Sequence, residues 1–384
     1  MRLLHISDLH AGKRLYDKVS RNEDLVYALE QVESICKENR VEVLLISGDI
    51  FDKRNPDNLS EDLVLDFLTK MSAMGVHVVL IAGNHDSYDH IKKYKHLRRL
   101  GRVHAFDRPH KDIKNSIFEY EDLRVACLPY PDERVITHFS EDTVRSYAEK
   151  VSLYMKALAK EVEKARYRVL LAHLMLDCAQ VAGSEYNTSP SYMIKAQSVP
   201  EEFTYVALGH VHRHQKVEGA VPKTYYAGSL YQIDFSEEGS DKFVNLVVLE
   251  DGMAKVEPIR LDLKRKLLKV ELRADGNLEQ ELDKLSSRKD LLIKVVFYMR
   301  LSDHRHHMLK EKVQRVLGEN LVRLDVELLQ EGKETSLENL RQSLNIVDLY
   351  KEYCRTERGG EPSQNLVELF EKLTERASHE TAQA

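Results

Sequence analysis

Seven residues able to bind a metal stand just beyond the ends of apolar runs: Asp8, His10, Asp49, Asn84, His173, His210 and His212. No other feature constrains the chain as much. Residues 3–6, 43–46 and 76–81 read as buried strands and lead into Ser7-Asp8-Leu9-His10, Gly48-Asp49 and Gly83-Asn84-His85-Asp86. Residues 169–171 and 205–208 do the same before Ala172-His173 and Gly209-His210-Val211-His212. Open α/β folds place their sites at the carboxyl ends of strands, so these ligands are expected to meet along the carboxyl edge of one sheet.

The spacings fit that expectation. Residues two apart on an extended chain share a face, so Asp8 with His10 and His210 with His212 each bring a pair of ligands to one place. A mixture of carboxylate, imidazole and amide oxygen suits Mn²⁺ or Fe²⁺, with Mg²⁺ and Zn²⁺ also compatible. Gly48 and Gly83 precede Asp49 and Asn84, where a missing β-carbon lets the chain turn sharply and approach a ligand. A carboxylate such as Asp49 has two oxygens and can bridge two cations about 3.5–4 Å apart. Taken singly, each motif has a plainer reading. Polar residues are common at strand ends, Gly-Asn-His-Asp is turn chemistry, and a lone His173 is a histidine satisfied at a strand end. Their joint occurrence, each behind an apolar run, is what points to a dinuclear centre.

Between the runs lie helices. Residues 22–38 carry Leu25, Leu29, Val32, Ile35 and Cys36 at helical spacing. Residues 59–74 repeat the pattern, with Ser60-Glu61-Asp62 as the expected cap and Gly75 as the stop. The βαβαβ order predicts a mostly parallel sheet. A hairpin is expected over 116–120 and 123–128 around Glu121-Asp122, and a long helix over 144–166. Residues 177–200, with Gly183, Pro190 and Pro200, read as a loop over the site. Further strands are expected near Tyr205, Thr224 and Phe243. Past Lys264-Arg265-Lys266, read as a hinge, residues 267–272, 278–285, 291–298, 307–317 and 321–328 give β, α, β, α, β. Beyond Gly332 the chain reads as helical, over 336–353 and 364–376, broken at Gly359-Gly360-Glu361-Pro362. Leu366, Val367, Leu369, Phe370 and Leu373 form one apolar face there. So short a segment buries little alone, so it is expected to dock onto a partner.

Composition sets limits on partners. Formal net charge is −6, so any nucleic-acid contact must come from a local patch rather than from the field of the whole molecule. The four cysteines are far apart and form no C-x-x-C pair, which argues against a disulfide framework and a thiolate zinc site. No apolar run approaches the roughly 18 residues that span a bilayer, and the start is not signal-like, so a soluble, cytoplasmic chain without a membrane partner is expected. The densest basic stretch, Lys92-Lys93-Tyr94-Lys95-His96-Leu97-Arg98-Arg99, reads either as a phosphate contact or as a solvated helix face. Lys13-Arg14, Lys53-Arg54 and Arg213-His214 follow three ligand loops and would ring the site with cations for a polyanion. Tyr16, Tyr88 and Tyr186 read as packing residues before base-stacking ones. His304, His306 and His307 read as a solvent-facing turn rather than a metal cluster.

The series Asp8-Leu9-His10, Gly48-Asp49-Ile50-Phe51-Asp52, Gly83-Asn84-His85-Asp86, Ala172-His173 and Gly209-His210-Val211-His212 resembles the calcineurin-like metallophosphoesterase family over the first two thirds of the chain. More narrowly, LLHISDLHAGK, ALGHVHRHQ, YAGSLYQIDFSEE and the 349–373 tail resemble SbcD-type bacterial nuclease subunits, relatives of the meiotic-recombination nuclease. The resemblance implies an α/β fold: a metallophosphoesterase β-sandwich flanked by helices over 1–263, a small α+β domain capping DNA over 264–332, and a helical hairpin over 333–384. That hairpin would grip the coiled coil of an SbcC-type, SMC-like ATPase. One metal is implied at Asp8, His10, Asp49 and His212, the other at Asp49, Asn84, His173 and His210. Two Mn²⁺ would be the cofactors, with ATP used only through the partner ATPase. His85 would lie at the scissile phosphate, as general acid or charge stabiliser, with the Asp52 carboxylate orienting it. Some nuclease relatives carry histidine at that last position, and many members have glycine where Ala172 stands. The implied activity is a manganese-dependent DNA phosphodiesterase, exonuclease on duplex ends and endonuclease on single strands or hairpins, in end processing and double-strand break repair. A homodimer is implied through Leu25, Leu29 and residues 63–68, though burial within one chain explains the same residues. A small-substrate phosphatase or phosphodiesterase would use the same metals without the C-terminal parts. A scaffold with a vestigial site is the remaining reading, and the complete ligand set opposes it.

Overall fold

The computed structural model describes residues 1–99, 101–137, 145–181, 192–274, 277–300 and 305–329, with single positions at 362, 364, 366 and 367. The chain divides into two compact units, Met1–Phe297 with His307–Val326, and Tyr298–His306 with Glu327–Ala384. Tyr186, His304 and almost all of the hairpin expected over 333–384, Cys354 and Phe370 included, lie outside the described residues.

Among the described residues the first unit holds two six-stranded sheets. In one, the order is Met253–Leu261, Lys242–Glu250, Arg2–Ile6, Val43–Ile46, His77–Ile81, Val103–Phe106. The last four strands run parallel, with Leu3 opposite Val43 and Val43 opposite His77. In the other, the order is Gln215–Lys216, Lys223–Tyr226, Tyr205–Gly209, Tyr167–His173, Leu123–Leu128, Ile117–Tyr120, with the middle four parallel. Alternate residues face the two sides of each strand. Leu3, Val43, Leu45, Val79 and Ile81 meet Val125, Val169, Leu171 and Ala207 between the sheets. Their neighbours Leu4, Ile6, Leu44, Ile46, Val78 and Leu80 face outward and pack among Leu25, Val32, Phe67 and Met71 of the covering helices. The second sheet does likewise with Leu170, Val206 and Leu208 against Met155 and Leu158. Burial on both faces is why these strands read as unbroken apolar runs. The expectation of a single sheet edge is therefore corrected: the ligand loops leave two stacked sheets, and the α/β sandwich flanked by helices is the fold.

The helix Asn22–Glu38 matches its expected span. The next, Asn58–Ala73, is capped by Asp57, whose side chain accepts from the Ser60 amide, so the expected cap at Ser60 shifts upstream. The helix expected over 144–166 is shorter, Tyr147–Glu161, and starts at a capping box formed by Ser146 and Glu149. The far end of the expected loop over 177–200 belongs to the core instead, because Ile194, Ala196 and Val199 are buried there. The strand-helix alternation past residue 264 is present: Lys266–Arg273, Leu291–Arg300 and Leu321–Leu329 form a three-stranded sheet, with helices Leu278–Ser286 and His306–Leu317 between them. Leu267, Leu292 and Val322 pack against Leu15 and Phe235. The segment read as a hinge is anchored, since Lys264 pairs with Glu23 at 3.0 Å and Arg265 pairs with Asp24. Leu25, Leu29 and Leu68 are buried within the chain. Cys36 and Cys127 are buried and Cys178 exposed, and all three are free thiols. No helix among the described residues is long and apolar enough to cross a membrane.

Candidate metal centre

All seven candidate ligands meet where the loops leave the two sheets. The first two loops run side by side beyond their strands, because the Asp8, His10 and Ala11 amides donate to the Gly48, Asp49 and Ile50 carbonyls at 3.0–3.1 Å. This extends the parallel pairing past the sheet and bends both loops together. Asp8, His10, Asp49 and His210 all have left-handed backbone, with φ of 50°, 44°, 48° and 99°. Side chains rarely tolerate that region, and strain of this kind persists only where surrounding contacts enforce it. Gly83 has a different reason to lack a side chain: a β-carbon there would fall 2.1 Å from Asp49 Oδ1.

Asp49 is the centre of the arrangement. Its Oδ1 accepts from the His85 amide at 2.9 Å, and its Oδ2 lies 3.7 Å from His10 Nε2 and 3.4 Å from His173 Nε2. On one side Asp8, His10 and His212 converge, with His10 Nε2 and His212 Nε2 3.2 Å apart. On the other, Asn84 Oδ1 lies 2.9 Å from both His173 Nε2 and His210 Nδ1. Asp8, His10, Asp49, His173 and His212 are buried, whereas Asn84, His85 and His210 are partly accessible.

The donor set fits divalent cations. His173 Nδ1 meets the Ser47 carbonyl at 2.7 Å, and His212 Nδ1 meets Glu237 Oε1 at 2.8 Å. These partners only accept, so both Nδ1 atoms carry protons and the Nε2 atoms are the ones turned inward toward the cluster. Imidazole nitrogens of His10 and His173 thus lie close to Asp49 Oδ2, and a cation entering there would take the place of the His173 Nε2 proton. The electrostatics of the cluster favour added positive charge in the same way. Burial alone would lower His173, but Asp49 outweighs it and raises the imidazole to about 9. Burial likewise would raise the Asp49 carboxyl, yet His173 and His10 hold it well below the carboxylate range. His10 and His210 are lowered, chiefly by burial, and so offer neutral nitrogens.

His85 stands beside this group, its ring 4.9 Å from that of His10. The expected contact with the Asp52 carboxylate is replaced by another: His85 Nδ1 meets the Asp52 main-chain carbonyl at 2.9 Å. The carboxylate itself turns to His10 Nδ1 at 3.4 Å and Lys13 Nζ at 3.1 Å. Burial would raise Asp52, but the bond to His10 and the charge of Lys13 lower it to about 2.

Sequence reasoning missed three supporting residues. Asp86 accepts from the amides of Gly83, Ile50 and Phe51 at 2.8–3.1 Å and so clamps two ligand loops together. Tyr231 donates to the His10 carbonyl at 3.0 Å. Glu237 is buried behind His212. Asp86 stood in plain view beside Asn84 and His85, but nothing in spacing distinguishes a clamp from a turn residue. Glu237 lies in YQIDFSEE, whose only signal was resemblance.

The expected ring of cations is thinner than the sequence implied. Arg54 and Arg213, in segments that follow ligand loops, are exposed, but Lys13 is paired with Asp52, and His214 bonds Asn245 at 2.8 Å and is lowered chiefly by burial. In the basic stretch, Lys95 pairs with buried Asp107, while Lys92, Lys93, Arg98 and Arg99 are exposed. Tyr88 donates to the Tyr130 carbonyl, and Tyr16 is part-exposed with Lys294 and Arg323 over its ring. His307 lies exposed near the start of its helix.

Two stacked sheets with a carboxylate-imidazole-amide cluster at their shared rim define a metallophosphoesterase. The family profile described as calcineurin-like phosphoesterase matches residues 1–214, and the chain belongs to that family of metal-dependent hydrolases. It is similar over its whole length to a curated relative, the SbcD component of the nuclease SbcCD from Bacillus subtilis (strain 168). The two are 26% identical across 399 aligned positions, covering 100% of each chain. Among solved structures, a dimetal phosphatase from Danio rerio aligns with 65% of this chain and 93% of its own, at 14% identity and a TM-score of 0.41. A purple acid phosphatase from yellow lupin (Lupinus luteus) aligns with 66% and 50%, at 12% identity and a TM-score of 0.39.

Proposed function

We propose that this chain is a metal-dependent DNA nuclease, cutting duplex ends as an exonuclease and single strands or hairpins as an endonuclease. The observation that carries the hydrolytic part is Asp49 Oδ2, placed between His10 and His173 with the other candidate ligands around it. DNA as substrate rests on full-length similarity to a named nuclease component. In this reading Asp8, His10, Asp49 and His212 hold one ion, and Asp49, Asn84, His173 and His210 the other; the mixed carboxylate, imidazole and amide donors suit Mn²⁺ or Fe²⁺, and Mn²⁺ is the ion of this proposal. Two such cations would supply Lewis acidity and a water of lowered pKa next to a phosphodiester.

The chain's own residues do the remaining work. His85 Nδ1 is committed to the Asp52 carbonyl, so its Nε2 is left for the substrate. When protonated there, it donates to a phosphoryl or leaving oxygen, at a position fixed by the main chain. Asp52 and Lys13 support His10 from the far side. Arg54 and Arg213 would meet flanking phosphates. The reading extends to a homodimer, a DNA-capping role for 264–332 and an ATPase-docking hairpin over 333–384. Removing residues 335–384 is expected to end co-purification with the SMC-like partner.

The test is digestion of end-labelled duplex, hairpin and single-stranded DNA with and without Mn²⁺, beside a chromogenic phosphodiester and a phosphomonoester. Mn²⁺-dependent DNA cleavage is expected, falling about 10²–10⁴-fold in His85→Ala with metal content unchanged. Hydrolysis of the small esters with DNA left intact would reject the nuclease reading, and no hydrolysis at all would reject the enzyme.

A further inference from the structure

His212 is held from behind by a buried ion pair, of which only the Glu237 contact has been described so far. Its Nδ1 donates to Glu237 Oε1 at 2.8 Å. The other Glu237 oxygen accepts from Lys242 Nζ at 2.5 Å, the Ile233 amide at 3.1 Å and the Ser229 hydroxyl at 3.3 Å. Lys242 closes the ring by donating to Ser229 Oγ at 2.7 Å and to the His212 carbonyl at 3.2 Å. Glu237 and Lys242 are 1% and 2% exposed, so an ammonium and a carboxylate are both withdrawn from water directly behind one candidate ligand.

Stability alone does not account for such a pair. Burying two charges costs as much as their attraction returns, and apolar residues of similar volume serve the fold equally well or better. Orientation does account for it. An acceptor on Nδ1 fixes the imidazole tautomer and plane, and an ionised acceptor raises the basicity of the opposite nitrogen more than a carbonyl does. Lys242 opens the strand Lys242–Glu250, while Glu237 ends the short helix Phe235–Glu237, so the pair also ties the His212 loop to the first sheet.

We propose that Glu237 and Lys242 are positioning residues for His212, fixing its ring so that Nε2 is presented to the cation shared with Asp8 and His10. The proposal rests on the metal-centre reading above. Its mark is selectivity: one of two ions should feel the loss of the pair.

The experiment compares Mn²⁺ titration calorimetry of the full chain with three variants, and follows ring-¹⁵N histidine resonances in the metal-free proteins. Glu237→Leu with Lys242→Met removes both charges together and is expected to fold. It should weaken one Mn²⁺ equivalent about 10–100-fold, leave the other unchanged, and lose the single-tautomer signal of His212. Glu237→Gln with Lys242→Met restores a neutral acceptor and should recover most of the affinity. Should the apolar pair fail to fold, Glu237→Gln alone decides the matter. Its single oxygen cannot serve both His212 and Lys242, and about a tenfold loss at one equivalent is expected. Variants that bind two Mn²⁺ like the wild type would overturn the proposal and leave the pair purely structural. A wild-type protein that binds no Mn²⁺ would overturn the metal-centre reading itself, and the proposal with it.

Discussion

The two halves of the centre are oriented by different means. His212, on the side of Asp8 and His10, leans on an ionised side chain whose own partner is a buried lysine. His173, on the side of Asn84 and His210, leans on the Ser47 main-chain carbonyl, and its neighbouring loops are joined through amides that all point at Asp86. A main-chain acceptor cannot be removed by substitution and adds no charge. A carboxylate adds charge but brings a burial cost that something else must offset, here Lys242. The half built on main chain is therefore expected to be robust to single substitutions at its acceptor, and the half built on side chains to be tunable.

Asp49 is the one residue on which the contrast depends, because its carboxylate faces both sides. Asp49→Ala is expected to empty both halves, with Mn²⁺ binding lost and hydrolysis down about 10³-fold or more, read by calorimetry and DNA digestion. Retention of one tight ion would show that the halves are independent. Asp86→Asn is the sharper probe of the main-chain half. Asparagine has one acceptor oxygen for three amides, so at least one buried N–H is left unpaired, at a cost of about 1–3 kcal/mol in denaturant unfolding. The ion nearest Asn84 should weaken more than the one nearest His212; equal weakening would remove the distinction.

The smallest effect concerns the seam between the sheets. Buried His5 shares hydrogen bonds of 2.9 Å with the Tyr205 hydroxyl and with Ser47 Oγ, beside the carbonyl that orients His173. Burial first, then His214, pushes His5 from 6.5 down to about 3. The folded protein therefore holds this ring neutral where the unfolded chain binds a proton. Its contribution to stability is complete above about pH 6.5 and declines as pH falls toward 3. Urea midpoints measured across that window should fall more steeply for the wild type than for His5→Gln. Parallel slopes would mean that other groups carry the acid sensitivity.

Much of the site was legible because its ligands sit at strand ends, where a period-two spacing and a preceding apolar run mark them. The Asn22–Glu38 helix was legible from its periodicity. The cap at Asp57 was not, because Asp57 and Ser60 are both good capping residues and only the backbone angle at Asp57 separates them. Asp52 shows the limit more clearly. Its spacing from Asp49 placed it near His85, but main-chain conformation decided that its carbonyl, not its carboxylate, makes the contact.

Sequence by itself determined which residues could hold metal, that the apolar runs are buried strands, and that strands and helices alternate, because those properties follow from local chemistry and period. Only the tertiary structure decided that the ligands come from two sheets instead of one, and that Glu237, Lys242 and Asp86 stand behind them. Such contacts join residues far apart in the chain, and their energies depend on burial and distance, which no stretch of sequence specifies alone.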